Sequence, residues 1–140
     1  MKSMESMQED LISTFLDLGD GFNQYSYLID VSTRLPPMPK EMKNDDTYVG
    51  GCQSDVWMHV AKDSLDRIHI KADSDAFILR GILYILYLIF ENRHSSEVAS
   101  FSFTLIDETA LKDIFSSSRR SGITRIVSAL QKVAQERTGV

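Results

Sequence analysis

Apolar residues return at helical spacing through the first part of the chain. Leu11, Phe15 and Leu18, with Ile12 alongside, predict an amphipathic helix over about 5–18, ended by Gly19. Asp20 is placed to cap a second helix, with Phe22, Tyr25, Leu28, Ile29 and Ser32 along one side and its aromatics expected in the core. Leu35-Pro36-Pro37-Met38-Pro39 ends that pattern, because proline removes amide donors and imposes an extended path. A rigid loop over the core is expected there.

The period then shortens. Residues 56–61 and 67–72 read as strands, with Ile68, Ile70 and Ala72 on one face and Arg67, His69 and Lys71 on the other. Five intervening residues allow a hairpin but no parallel crossover, so the pair is antiparallel, and Tyr48-Val49 offers an additional edge strand. A sheet this small needs helices on its apolar face. Ser74 or Asp75 can cap a run over 76–90, and Gly81 inside it marks a place of close packing. Glu91-Asn92-Arg93-His94 forms its expected wet end. Ser95 or Ser96 begins a short helix, another is expected around 108–115, and Ile123, Ile126, Val127, Leu130, Val133 and Ala134 stripe a final one. The expected fold is α+β, one domain over 1–140 in which helices cover a short antiparallel sheet.

Composition narrows the function. A formal charge of -5 argues against a duplex nucleic-acid surface, and the apolar run over 77–90 contains Arg80 and falls short of the roughly 20 residues that span a bilayer. The first ten residues carry acids where a signal peptide needs an apolar core, so a cytoplasmic protein is expected. Cys52 is the only cysteine, which rules out an internal disulfide and a self-contained two-thiol exchanger. With His59, His69 and His94 it makes up the whole Cys/His inventory, and no zinc spacing or P-loop is present; no metal and no cofactor are expected on this chain.

Cys52 follows Gly50-Gly51, which permit a turn that presents its sulfur to a partner. A nucleophile without a fixed base can still accept a group from an external donor that supplies the activation. Asp75 stands at the predicted start of a helix and Arg119 in the serine-rich stretch 116–122. If Arg119 folds near Cys52, its permanent charge favours thiolate or persulfide, while Asp75 either orients Arg119 or caps the helix. Gln53, Asp55 and Trp57 are adjacent candidates for partner contact, with Trp57 expected in the core.

From about residue 5 to residue 136 the chain resembles the SufE family of sulfur acceptors that work beside cysteine desulfurases. The resemblance is carried by Leu35-Pro36-Pro37-Met38-Pro39, by Val49-Gly50-Gly51-Cys52-Gln53-Ser54-Asp55-Val56-Trp57, by Ala72-Asp73-Ser74-Asp75-Ala76 leading to Arg80-Gly81, and by Ser118-Arg119 before Gly122-Ile123. It implies an α+β fold similar to iron–sulfur scaffold proteins, without their metal-binding cysteines. Cys52 then matches the persulfide-carrying cysteine, and Asp75 and Arg119 match positions that shape its surroundings or the partner surface. The implied partners are a desulfurase containing pyridoxal phosphate and an iron–sulfur cluster scaffold. Ser121 stands where asparagine is common, Thr109-Ala110-Leu111 where leucine-glycine-leucine is common, and Asp30-Val31-Ser32 where a glutamate-rich, glycine-containing end is common. Two other functions compete: a noncatalytic module that only binds a desulfurase, and a thiol peroxidase using Cys52 with external thiols.

Overall fold

The structure, a computed structural model, describes residues 2–50 and 54–136. Helix α1 (Met4–Leu18) starts where the Ser3 hydroxyl accepts the Ser6 amide, and it buries Met4, Gln8, Leu11 and Phe15. Gly19 closes it at a φ of 89°, a region that side chains resist. Asp20 then caps α2 (Gly21–Val31) through the Asn23 amide. After two 3-10 turns (Ser32–Arg34 and Lys40–Met42) the chain forms β1 (Val56–Lys62) and β2 (Ile68–Ser74). Helices α3 (Phe77–Phe90), α4 (Ser95–Ser100), α5 (Leu111–Ile114) and α6 (Ser117–Gln135) follow.

β1 and β2 pair antiparallel, from Val56 opposite Ser74 to Lys62 opposite Ile68. Val56, Met58, Ile68, Ile70 and Ala72 face the buried side, where α3 packs with Ile78, Ile82, Ile85, Ile89 and Phe90. This is the expected α+β arrangement, since the sheet has one apolar face and α3 is the most apolar helix. The expected edge strand is a single bridge from Tyr48 to Trp57 on the free side of β1.

Four expectations are corrected. Phe22 is 79% exposed and Tyr25 is 39% exposed, so they leave the core face of α2 to Gln24, Leu28 and Val31. Gln24 takes a buried place because its amide Nε2 donates to the Phe15 and Gly19 carbonyls and its Oε1 accepts the Ala110 amide. The expected wet end of α3 holds a buried Arg93, whose guanidinium donates to the Ile89 and Lys2 carbonyls, a favourable place for a cation at a helix C-terminus. Neither Ser74 nor Asp75 caps α3: it starts behind Ala76, with no side-chain cap bond. The helix expected around 108–115 shrinks to the single turn of α5, and glutamines tie the chain before it to the helices. Gln8 bonds Ser102 and Thr104, and Gln131 bonds the Val98 and Phe101 carbonyls.

The far end of the hairpin carries a charged clamp. His69 on β2 lies 2.7 Å from Asp63 through Nε2 and 2.7 Å from Glu91 through Nδ1. Two carboxylate neighbours favour the form in which both ring nitrogens carry protons, the imidazolium. Hydrogen bonds to Asp63 and then Glu91 raise the His69 pKa, and the bond to His69 lowers that of Asp63 to about 2. A histidine raised above 6.5 in the fold contributes stability that is full below about pH 6.5 and lost as pH rises through the folded value. The Asp63 share is present above its ordinary 3.8 and lost as pH falls toward 2. His69→Gln is therefore expected to lower the thermal midpoint between about pH 4 and 6.5, with the gap from wild type narrowing at alkaline pH. Paired unfolding curves across pH check it; a gap independent of pH would reject the imidazolium.

Candidate functional site

The sequence-predicted nucleophile, Cys52, lies outside the described residues. The chain on either side of it is held firmly. Before it, Val49 donates its amide to the Val56 carbonyl at 2.8 Å and Thr47 accepts the Met58 amide at 2.7 Å, which seats the incoming chain beside β1. Gly50 follows at a φ of 73°, a conformation that disfavours any side chain.

After Cys52, both other predicted site residues arrive. Arg119 sits in the first turn of α6, where the Ser116 hydroxyl caps the helix by accepting the Arg119 amide, and its Nη1 donates to Ser54 Oγ at 3.3 Å. Asp75, between β2 and α3, accepts the Asp55 amide at 3.0 Å. Ser74 adds a bond from its hydroxyl to the Asp55 carbonyl at 2.7 Å. Arg119 and Asp75 thus converge on consecutive residues, Ser54 and Asp55, immediately beyond Gln53. They form no ion pair with each other among the described residues, so Asp75 orients the chain after Cys52 and not the guanidinium.

One flank of the site is an ionic layer. Burial pushes the Asp73 carboxyl up, but bonds from Lys43 and the Ser74 amide and the charge of Arg80 outweigh it and hold its pKa below the ordinary value. Arg80 donates to Asp73 at 2.8 Å and lies 5.3 Å from the Phe77 ring centre; Lys43 lies 5.7 Å from that of Trp57. Trp57 is half-buried, not a core residue, with Lys43 over its ring and Tyr48 packed edge-on with it. A cavity of about 240 Å³ separates Asp73 and Arg80 from the proline segment, which packs as the expected loop with Met38 buried.

On the other flank, Arg119 borders a second cavity of about 250 Å³ with Tyr25, Ile114 and Phe115. Tyr25, an exposed aromatic of α2, therefore sits beside the site. Sequence periodicity missed this, since it assigns aromatics to a core by spacing alone. Among the described residues no three His, Cys, Asp or Glu side chains form a group able to hold a metal ion, and no helix is long and apolar enough to cross a membrane.

A family model described as SufE, an Fe-S metabolism associated domain, matches residues 9–134. The chain belongs to the SufE family. Membership supports a general role in sulfur transfer and implies association with cysteine desulfurases and iron–sulfur assembly. A solution structure described as a hypothetical protein from Thermus thermophilus is similar in fold, with a TM-score of 0.74 at 14% identity. The alignment covers 92% of this chain and 93% of that one. The family match extends over Ser54, Asp55, Asp75 and Arg119, the residues that converge, as well as over the Cys52 segment of the sequence.

Proposed function

We propose that Cys52 accepts sulfur from the persulfide of a pyridoxal-phosphate-dependent cysteine desulfurase and passes it to an iron–sulfur scaffold. The observation that carries this reading is the convergence of Arg119 and Asp75 on Ser54 and Asp55, next to the only thiol of a SufE-family chain. The Cys52 thiolate attacks the outer sulfur of the donor persulfide. A sulfur–sulfur bond forms at Cys52 as the one in the donor breaks, and the donor cysteine leaves as a thiolate that takes up the proton Cys52 gave up. The two cysteines exchange oxidation state, so no outside oxidant or reductant is needed. Delivery repeats the step with Cys52 as the leaving thiolate.

Arg119 supplies a permanent positive charge beside the segment, which favours the anionic sulfur before and after transfer. Asp75 sets the path of the chain through the Asp55 amide. The pyridoxal phosphate belongs to the partner. Because the desulfurase regains its free thiol after each transfer, its turnover rises with the chain present.

Turnover of a desulfurase with free cysteine tests the reading. Wild type is expected to accelerate it, and Cys52→Ala to bind the desulfurase equally while leaving its rate at the unaided value. Arg119→Ala is expected to bind normally and load on the order of tenfold more slowly, the loss of one charged interaction. Full stimulation by Cys52→Ala would reject the relay in favour of binding alone. Rapid peroxide oxidation of Cys52 without persulfide loading would favour a peroxidase.

A further inference from the structure

We infer that Tyr48 and Asp55 form a positioning pair for the sulfur transfer, a latch across the two chain segments that lead into and out of Cys52. The inference rests on Cys52 being the carrier. Tyr48 precedes Cys52 by four residues and Asp55 follows it by three. The Tyr48 hydroxyl donates to Asp55 Oδ1 at 2.9 Å, so a side-chain bond joins residues on either side of Cys52 in the chain.

Tyr48 is oriented for this by its backbone bridge to Trp57 and by its ring, which meets the Trp57 ring edge-on with centres 6.1 Å apart. Tyr48 is 44% exposed: its ring packs on Trp57 while its hydroxyl reaches Asp55 at the surface. Asp55 is the matching fixed point. Asp75 holds its amide and Ser74 its carbonyl, which leaves the exposed carboxylate aimed at Tyr48.

The latch contributes little to global stability. Both side chains reach solvent, and the backbone around them is already tied to β1 and β2. Its consequence is local: beside the Val49–Val56 backbone bond that already joins the two strands of chain, it adds a side-chain restraint between the residues that lead into and out of Cys52. In-line attack on a persulfide depends steeply on alignment, so a small loosening is felt in the rate of transfer before it is felt in folding or docking.

Single-turnover loading of Cys52 from a saturating, cysteine-charged desulfurase, read by quenched intact mass, tests this. Tyr48→Phe and Asp55→Ala are each expected to slow loading about five- to tenfold, with desulfurase affinity and thermal midpoint unchanged. The double variant is expected to be no slower than either single one, because both remove the same bond. Asp55→Asn keeps an acceptor for the hydroxyl and is expected to restore most of the rate. Wild-type loading by both single variants, additive losses in the double, or a loss confined to affinity would overturn the latch while leaving Cys52 as the carrier. Equal loading of Cys52→Ala would overturn the carrier reading and the latch with it.

Discussion

Gly81→Ala is expected to destabilise the protein by about 2 kcal/mol, although alanine is the better helix former. The reason lies in the crossing of α2 over α3. A Cβ at Gly81 would fall on the Leu28 carbonyl, with Leu28 C at 2.8 Å and Leu28 Cβ at 2.9 Å. The obstacle is largely backbone, so no rotamer change relieves it, and α2 must move away from the core. Overpacking of this kind costs about 3 kcal/mol, against about 1 kcal/mol returned by helix propensity. A fall of roughly 5–10 °C in the thermal midpoint follows for a chain of this size. An unchanged midpoint would mean that α2 and α3 do not approach so closely.

Gln24→Leu is expected to cost more, about 3 kcal/mol, while keeping nearly the same side-chain volume. Gln24 is fully buried and serves the Phe15 and Gly19 carbonyls and the Ala110 amide at once. Leucine gains apolar burial but strands these backbone groups, and each buried group left without a partner costs about 1–3 kcal/mol. Denaturant unfolding should show a lower midpoint at constant slope, and hydrogen exchange should show lost protection at the Ala110 amide. Wild-type stability together with a protected Ala110 would contradict the role assigned to this glutamine.

Gln24 also shows where reading the sequence stops. Hydrophobic spacing located α1, the β1–β2 hairpin, α3 and the stripe of α6, because each buries one continuous apolar face. It also flagged Gly81, since a glycine within so apolar a helix needs a packing reason. On α2 the same logic selected Phe22 and Tyr25 over Gln24. The partners of Gln24 are backbone groups up to 86 residues away, and no local pattern encodes them. Arg93 was missed for the same reason: its burial depends on the Lys2 carbonyl from the other end of the chain. At the candidate site, the distributed family motif singled out Asp75 and Arg119 as candidates. Their separate bonds to Asp55 and Ser54 were not legible, because the choice between pairing with each other and holding the chain is made by tertiary placement.

The proposed relay places sulfur on Cys52. After incubation with a cysteine desulfurase and free cysteine, without reductant, the chain can be digested under conditions that preserve persulfides and its peptides weighed. A single added sulfur atom is predicted, confined to the peptide containing Cys52, removed by reductant and missing from Cys52→Ser. Sulfur on Cys52→Ser, or stimulation of the desulfurase by wild type with no sulfur on that peptide, would contradict the account.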